Sequence, residues 1–332
     1  MKKILVIATG GTIASTQNAR GLTPSVSGRD LVKQVPLIAD VCSLDFVQPM
    51  NIDSTNMRPE NWMALAQLIQ TSWAHYDGFV VLHGTDTMAY TAAALSYLVQ
   101  SSEKPIVLTG SQQPMANPFT DAKLNLYQSV LYAASDLSHD VSVVFGGKAI
   151  AGTRAHKQRT MSFNAFASMN FPPLASIKTD KIFPAPQLVH ANETATKPRF
   201  YTQLNSRVMV LKLTPGLDPS VLDALKENYD GLVVETFGIG GIPDSDKSWQ
   251  EALFGWVDAH KTVVITTQVP EEGLDLGVYE VGRVYAHHSG ILKGDDMTTE
   301  ALLAKTMWVL GQTEDPEEIA RLFYTPINHD RS

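Results

Sequence analysis

The chain has 332 residues, of which 44% are hydrophobic, a formal net charge of −8 and a single cysteine, Cys42. This length suits two domains, since most domains contain roughly 100 to 200 residues. The acidic balance lacks the basic block that neutralises phosphates, so we expect no nucleic-acid partner, and one cysteine cannot form an intrachain disulfide.

The N-terminal apolar run is short. It covers residues 4–8 and ends near Gly10 and Gly11, whereas a secretory signal peptide has a longer apolar region. We therefore expect a first strand here and no export signal. No later stretch supplies the roughly 20 consecutive apolar residues that span a membrane. These features predict a cytoplasmic protein with no membrane partner.

The first half of the sequence alternates apolar strands with helix-forming segments. Strands are predicted at residues 3–8, 44–49, 77–82, 105–109, 141–145 and 148–151, and helices at residues 59–73, 89–98 and 121–134. Such alternation indicates a mostly parallel sheet flanked by helices. The polar residues 15–27 are typical of a surface loop that could act as a lid.

The second half repeats the pattern on a smaller scale. Strands are predicted at residues 208–213, 231–236 and 262–267, and helices at residues 219–227, 248–260, 298–310 and 316–323. We predict an α/β protein with a larger N-terminal domain at residues 1–185, a linker at 186–205, where prolines and polar residues interrupt the pattern, and a smaller C-terminal α/β domain at 206–332.

Polar turns follow four of the predicted strands. The carboxyl ends of parallel strands meet at one edge of a sheet, which is where ligands bind in open α/β folds. A plainer alternative is a tight glycine turn at Gly10 and Gly11, together with ordinary helix capping by the later hydroxyls and carboxylates. The four turns are residues 9–14, 51–56, 83–87 and 110–114, with Asn56, Thr85, Asp86 and Thr87 as the candidate caps.

Several familiar active-site motifs are missing from the sequence. It contains no HExxH pattern, no phosphate-binding P-loop and no GxSxG elbow, so Ser111 is a weak nucleophile candidate and no metal is expected. Two threonines remain in glycine-flanked turns, Thr12 and Thr85. A threonine hydroxyl needs a base before it can attack. Lys157 could be that base, although lysine in a basic segment more often lies in a solvated loop.

Two long segments carry a family resemblance. Residues 8–14 (ATGGTIA) and 77–88 (DGFVVLHGTDTM) resemble the two signatures of the bacterial-type L-asparaginases. The similarity continues through residues 53–57, residues 108–112, the segment around Lys157 and the C-terminal region, so that it covers essentially the whole chain. Ser54 followed by Thr55, where secreted members have Ser-Gln, makes the sequence most similar to the cytoplasmic type I branch.

The resemblance implies hydrolysis of L-asparagine to L-aspartate and ammonia without a metal or an organic cofactor. It implies that Thr12 is the nucleophile and forms an acyl-enzyme. Thr85, Asp86 and Lys157 would form a second triad, in which Lys157 is the general base. Asp86 would orient that lysine or bind the substrate amino group.

The resemblance also implies a substrate site. Asp53, Ser54 and Thr55 would hold the α-carboxylate of this small amino-acid substrate, and amides near Gly11 and Thr85 would bind the oxyanion. Family members self-associate as homotetramers built from dimers, with each active site near a junction between subunits. We expect the same here.

The sequence departs from the family pattern at one point. Many members carry a tyrosine in the loop after the first threonine, whereas residues 15–26 contain none. The group that activates Thr12 is therefore left open between Thr85 with its lysine, a water molecule and a residue from elsewhere.

Three other functions compete with asparagine hydrolysis. One is a glutaminase-leaning amidohydrolase, because one methylene group changes binding by only about 1 to 3 kcal/mol. Another is an amidotransferase component that supplies ammonia, which in the family has an additional N-terminal domain that we do not expect here. The third is a non-catalytic amino-acid sensor on the same fold.

Overall fold

A computed structural model describes residues 1–11, 13, 15–18, 21–24, 33–186, 197–243 and 246–332, with the backbone alone at residues 15–18 and 21–24. The chain forms two compact units. Unit 1 comprises Met1–Thr202 with Ile327–His329, and unit 2 comprises Gln203–Pro326 with Asp330–Ser332.

Unit 1 contains the larger sheet. The strands of unit 1 are β1 (Lys3–Ala8), β2 (Ser15–Asn18), β3 (Gly21–Pro24), β4 (Ser43–Val47), β5 (Gly78–Leu82), β6 (Val99–Gln100), β7 (Ile106–Thr109), β8 (Val141–Phe145), β9 (Lys148–Ala151), β10 (Ala155–Lys157), β11 (Phe166–Ser168), β12 (Ala175–Lys178), β13 (Lys181–Pro184) and β14 (Arg199–Phe200). Its helices are α1 (Pro59–Ser72), α2 (Met88–Leu98) and α3 (Ala122–Ala133).

The main sheet has eight strands in the order β13-β12-β9-β8-β7-β5-β1-β4. The five strands from β8 to β4 are parallel, whereas β9, β12 and β13 are antiparallel to their neighbours. Short two-stranded sheets join β2 to β3, β10 to β11 and β6 to β14. The predicted α/β class with a mostly parallel larger sheet is confirmed.

The centre of this sheet is buried on both faces. Val80 and Leu82 of β5 share a hydrophobic cluster with Leu126 of α3. Phe79 and Val81, which point to the other face, are also 0% exposed. A strand covered on both sides must be apolar at every position, which explains the uninterrupted apolar run in the sequence.

Unit 2 is built around a four-stranded parallel sheet in the order β15-β16-β17-β18. The tryptophans Trp249 and Trp256 pack into its core. Its strands are β15 (Val208–Lys212), β16 (Gly231–Thr236), β17 (Thr262–Thr267) and β18 (Ile291–Lys293), and its helices are α4 (Val221–Lys226), α5 (Ser248–Asp258), α6 (Glu280–Ala286), α7 (Thr299–Leu310) and α8 (Pro316–Tyr324). The smaller C-terminal α/β domain is thereby confirmed as a class of fold.

Helix starts follow the sequence in some places and differ in others. Thr298 accepts a hydrogen bond from the Ala301 amide and so caps α7, as its position predicts. Asn56 does not cap α1, because the helix begins after Arg58, whose amide donates to the Asn61 side chain instead. Asn56 ends a separate short 3₁₀ turn.

The segment at residues 15–27 also differs from expectation. We predicted a loop, but β2 and β3 pair there as an antiparallel hairpin. Residues 25–27 lie outside the described part of the chain, as do residues 187–196 of the predicted linker. Across the described residues, no helix combines the length and apolarity needed to cross a membrane.

Candidate active site

Two glycines bring the polar turns of unit 1 into contact at the carboxyl ends of β1 and β5. Gly10 and Gly11 have φ of +115° and +83°, and a Cβ on either would lie 2.4 Å from a backbone atom. For Gly10 that atom is the Ile52 carbonyl oxygen, and for Gly11 it is the Gly84 amide nitrogen. Only glycine permits such a close approach of two backbones.

Thr12, the predicted nucleophile, lies outside the described residues. The two residues beside it are described: Gly11 is buried and Ile13 is 0% exposed. The role of Thr12 stays a prediction. Its place in the sequence, directly after Gly11, follows the turn that contacts Gly84.

Lys157 lies between Thr85 and Asp86. Its Nζ atom is 2.8 Å from the Thr85 hydroxyl oxygen and 2.6 Å from a carboxylate oxygen of Asp86. The Lys157 side chain is 18% exposed and that of Asp86 is 57% exposed. The structure thus brings together three of the predicted site residues, with the carboxylate facing solvent.

The expectation of a solvated basic loop is wrong for Lys157 itself, whereas residues 158–162 after it are exposed and lie outside any strand or helix. Lys157 ends β10, pairs with Phe166 of β11, and directs its ammonium group to the Thr85 hydroxyl and the Asp86 carboxylate. A strand of three residues is too short to show an alternating pattern in the sequence, so its presence could not be read from composition.

Gln112 is a further contact of Thr85. Its side-chain oxygen accepts from the Thr85 hydroxyl at 3.3 Å. Its side-chain nitrogen lies within 3.5 Å of the carbonyl oxygens of Arg159 and Ser162, which can only accept, and this fixes the orientation of the amide. With an ammonium group donating from Lys157, the Thr85 proton therefore points towards Gln112.

Sequence reasoning did not select Gln112 as a site residue. Its signal was its position after a parallel strand, in the turn that follows β7. That turn is held by Asp121, whose carboxylate accepts from the amides of Gln112 and Gln113 at 3.0 Å. The neighbouring Ser111 is 1% exposed and donates its hydroxyl to the Gln113 carbonyl, in keeping with its weak candidacy.

The turn at residues 83–87 is not a side-chain cap of α2. Thr87 occupies the capping position but makes no capping hydrogen bond with its side chain. Its hydroxyl donates instead to the Ser54 carbonyl oxygen at 2.7 Å. The side chains of Thr85 and Asp86 are hydrogen-bonded to the Lys157 amine. The helix-capping alternative for this turn is therefore wrong.

The residues predicted to bind the α-carboxylate lie beside this turn. Ser54 is 3% exposed, and a Cβ on Gly84 would lie 2.5 Å from its hydroxyl oxygen. Asp53 uses one carboxylate oxygen locally, accepting from the Thr55 amide at 3.0 Å and the Thr55 hydroxyl at 2.9 Å. Thr55 itself is exposed.

A buried chain of hydrogen bonds supports the Gly84 carbonyl. Trp62 donates from its indole nitrogen to the Thr91 hydroxyl at 2.9 Å, and Thr91 lies 2.9 Å from Nε2 of His83. His83 Nδ1 is 2.7 Å from the Gly84 carbonyl oxygen. Because a carbonyl only accepts, Nδ1 carries the proton and Nε2 accepts from Thr91.

His83 is held in its neutral form. Burial lowers its pKa to about 4, and the hydrogen bond to the Gly84 carbonyl opposes that shift. The side chain is 0% exposed, so the charged imidazolium would lose its hydration without a compensating negative charge. His83 therefore acts as a neutral support for the turn that carries Thr85.

Within the described part of the chain, no group of three or more histidine, cysteine, aspartate or glutamate side chains is arranged to hold a metal ion. The cation of this site is the Lys157 ammonium group, which lies against Asp86.

Both halves of the chain match known protein families. Residues 3–190 match the family described as Asparaginase, N-terminal, and residues 207–323 match the Glutaminase/Asparaginase C-terminal domain. The chain is thus an α/β protein assembled from these two domains. It belongs to the asparaginase family.

Curated relatives agree with this assignment. An L-asparaginase of Thermococcus kodakarensis is 38% identical over 96% of this chain and 96% of its own length. L-asparaginase 1 of Escherichia coli K12 is 34% identical over 96% of this chain and 95% of its own length. A Glutamyl-tRNA(Gln) amidotransferase component of Metallosphaera sedula is also 34% identical, over 97% of this chain and 75% of its own.

Solved structures share the fold. The thermostable L-asparaginase from Thermococcus kodakarensis superposes with a TM-score of 0.91 at 36% identity, covering 99% of both chains. The structure described as "Probable Cytoplasmic L-asparaginase from Campylobacter jejuni" gives a TM-score of 0.82 at 26% identity and covers 98% of this chain and 100% of that one.

Proposed function

We propose that the protein hydrolyses the side-chain amide of L-asparagine, releasing L-aspartate and ammonia. The observation that carries the proposal is the contact of Lys157 with both Thr85 and Asp86, in a chain of the asparaginase family. A hydroxyl, an amine and a carboxylate in direct contact are the groups that nucleophilic amide hydrolysis needs.

The reaction proceeds through a threonine acyl-enzyme. The Thr12 hydroxyl oxygen attacks the amide carbon, and its proton is taken up as the bond forms. The carbon–nitrogen bond then breaks and the nitrogen leaves as ammonia with a transferred proton. Water attacks the resulting ester, which releases L-aspartate and restores the Thr12 hydroxyl.

Lys157 is the general base in this scheme. In its neutral form the amine accepts the Thr85 proton across the 2.8 Å contact. Thr85 can then take a proton from the attacking group, which is Thr12 in the first step or water in the second. A proton carried through a positioned side chain contributes typically 10² to 10⁴-fold to a rate.

The surrounding groups hold the substrate. Asp86 presents a carboxylate that is 57% exposed and matches the substrate α-ammonium group. Ser54 provides a hydroxyl for the α-carboxylate, and Thr55, whose own hydroxyl donates to Asp53, holds the Asp53 carboxylate in the same loop. The amides near Gly11 and Thr85 are the oxyanion donors, and one such donor is typically worth about 3 to 4 kcal/mol of barrier.

An ammonia-release assay tests the proposal. Asparagine, glutamine and buffer are compared with the wild-type enzyme and with Thr12→Ala. Ammonia from asparagine in the wild type alone, with asparagine still raising the melting temperature of Thr12→Ala, supports both the activity and the nucleophile. Full activity in Thr12→Ala would refute the nucleophile assignment.

The same assay separates the competing functions. Preferential release from glutamine would favour the glutaminase alternative, and the similarity to an amidotransferase component makes this comparison necessary. Thermal stabilisation by asparagine without any ammonia would favour a sensor.

We also propose a cytoplasmic homotetramer built from dimers, with a small amino acid as its substrate. Support comes from membership of the asparaginase family and from the similarity to a structure described as a cytoplasmic L-asparaginase. Light scattering measures the assembly directly. A monomer that stays fully active at nanomolar dilution would contradict the tetramer.

A further inference from the structure

The C-terminal residues return to unit 1 after the last helix. Helix α8 belongs to unit 2, whereas Ile327–His329 belongs to unit 1. Asn328 and His329 have φ of +47° and +62°, in the left-handed region, which asparagine and histidine tolerate better than most residues other than glycine. Such conformations persist only where the surrounding contacts impose them, and several contacts in unit 1 hold these two residues.

The Asn328 side chain joins two elements of unit 1. Its amide nitrogen lies 2.8 Å from the Ser96 hydroxyl oxygen and 2.9 Å from the Val141 carbonyl oxygen. Ser96 donates its own proton to the Ala92 carbonyl, so it accepts from Asn328. Ser96 lies in α2, the helix that follows the Thr85 turn, and Val141 begins β8.

The backbone of the same residues binds the chain before β10. The Thr153 hydroxyl donates to the Asn328 carbonyl oxygen at 2.5 Å, and Nε of Arg154 donates to the His329 carbonyl oxygen at 2.5 Å. Both donors are 0% exposed. The His329 ring also stacks on Phe171, with the ring centroids 4.6 Å apart.

The turn that leads into β10 packs directly on α2. A Cβ on Gly152 would lie 2.7 Å from the Ser96 hydroxyl oxygen. The Gly152 amide donates to the Val141 carbonyl at 2.9 Å. Gly152 and Asn328 therefore both bond to the Val141 carbonyl, and Gly152 leaves no room for a side chain beside the Ser96 hydroxyl that Asn328 binds. A shift of this turn would also displace Lys157, because Lys157 is the third residue of β10, the strand that follows the turn.

We propose that Ile327–His329 is a positioning element for Lys157. By binding α2 and the turn at residues 152–154 together, it keeps the Lys157 amine within reach of the Thr85 hydroxyl. Asn328 and Thr153 touch neither the substrate nor the reacting atoms, so they are positioning residues. The inference rests on the role of Lys157 in the proposed function.

Three variants of the protein test the inference. Thr153→Val keeps the shape of threonine but removes the hydroxyl donor, and Thr153→Ser restores that donor. Asn328→Asp keeps the side-chain shape and tolerance of the left-handed conformation, but it places an acceptor against the Val141 carbonyl. Asn61→Asp is the matched control, because Asn61 accepts from the Arg58 amide and an aspartate can do the same.

For each variant, kcat and KM for asparagine are measured well below its melting temperature. The melting temperature of each variant is measured as well. We expect Thr153→Val and Asn328→Asp to lower kcat by about tenfold or more with KM changed by less than about threefold, since small misplacements of catalytic groups are costly. Thr153→Ser and Asn61→Asp should stay close to the wild type in kcat.

Two results would overturn the inference. One is an unchanged kcat in both Thr153→Val and Asn328→Asp, even with a lowered melting temperature, because the segment would then serve folding alone. The other is an equal loss in Thr153→Ser. Lys157→Met is assayed in parallel: near-normal activity in that variant refutes the proposed role of Lys157, whereas its inactivity beside fully active Thr153→Val and Asn328→Asp refutes only the positioning role.

Discussion

The Lys157 amine lies 2.8 Å from the Thr85 hydroxyl oxygen, although 72 positions separate the two residues in the sequence. Thr85 stands in the turn after β5, which is the middle one of the five parallel strands in the larger sheet. Lys157 reaches it from β10, which is outside that sheet and pairs only with β11 among the described strands. The fold therefore presents the proposed general base from a small separate hairpin, and the effect of removing the Lys157 amine can be measured.

Replacing Lys157 with methionine should lower kcat/KM by several orders of magnitude. Methionine fills a similar volume but can neither accept the Thr85 proton nor pair with Asp86, and general-base catalysis alone is worth about 10² to 10⁴-fold. Ammonia release from asparagine measures the loss. Lys148→Met is the matched control, because Lys148 is an exposed strand residue of the same unit. Near-normal turnover by Lys157→Met would remove this residue from the triad.

Gly84→Ala should impair the site without touching a catalytic side chain. The new Cβ would lie 2.5 Å from the Ser54 hydroxyl oxygen and 3.3 Å from the Gly11 Cα, so the two turns must move apart. Because Thr85 is the next residue, we expect kcat/KM to fall by about 100-fold and the free energy of unfolding by about 1 to 3 kcal/mol.

The control for that substitution is Gly255→Ala. Gly255 lies inside α5, and a Cβ added there would meet only the flexible end of Lys226, at 3.6 Å. Alanine is the better helix former by roughly 0.5 to 1 kcal/mol, so this variant should be slightly more stable and fully active. Equal behaviour of the two variants would show that the close contact of Gly84 has no consequence.

His83 should make the folded protein less stable in acid. Its pKa is lowered from 6.5 to about 4 in the folded state, so between these values the unfolded chain binds the additional proton. The free energy of unfolding is therefore unaffected by His83 above about pH 6.5 and decreases as the pH falls towards 4, by about 3 kcal/mol in total.

Urea unfolding at pH 7 and pH 4.5 isolates this contribution. His83→Gln cannot gain the proton, so the free-energy difference between wild type and variant should shrink in acid. The carboxylates and the other histidines titrate in both proteins, so their contributions to the difference cancel. A constant difference at the two pH values would show that His83 does not titrate in this window.

The sequence was most informative where burial is simplest. The limits of β16 and β17 agree with prediction, and each strand contains a run of three apolar residues, at 232–234 and 263–265. The meeting of the polar turns also followed from parallel strands ending at one edge. The surroundings of His83 could not be predicted, because a buried histidine and an exposed one look alike in a single sequence. The sequence also did not predict α6, a short helix that contains Gly282, or β18, a short strand between Gly290 and Gly294.

The contacts of Lys157 and Asn328 lay further beyond prediction. Each depends on residues distant in sequence, and neither segment shows a periodic pattern. Family resemblance selected Lys157, whereas physical reasoning from composition placed it in a solvated loop. The resemblance did not mark Asn328, and only the structure brought its side chain to Ser96.

The ion pair of Lys305 and Asp330 provides a separate test in unit 2. Both side chains are 0% exposed and their charged atoms are 2.5 Å apart, while Lys305 also donates to the Thr325 carbonyl at 2.8 Å. Burial lowers the Lys305 pKa to about 8, and the negative charge of Asp330 opposes the shift. Near pH 7 the lysine therefore stays charged and compensates a carboxylate that has lost its water.

Lys305→Met should lower the free energy of unfolding by about 3 to 5 kcal/mol, because the Asp330 charge loses its buried counter-charge. The double variant Lys305→Met/Asp330→Leu should regain most of that loss, since it buries no charge at this position. Lys226→Met is the surface control: its partner Asp223 is 78% exposed, and such pairs contribute about 0 to 1 kcal/mol. Guanidinium unfolding compares the four proteins. A double variant as unstable as Lys305→Met would show that packing, and not the uncompensated charge, causes the loss.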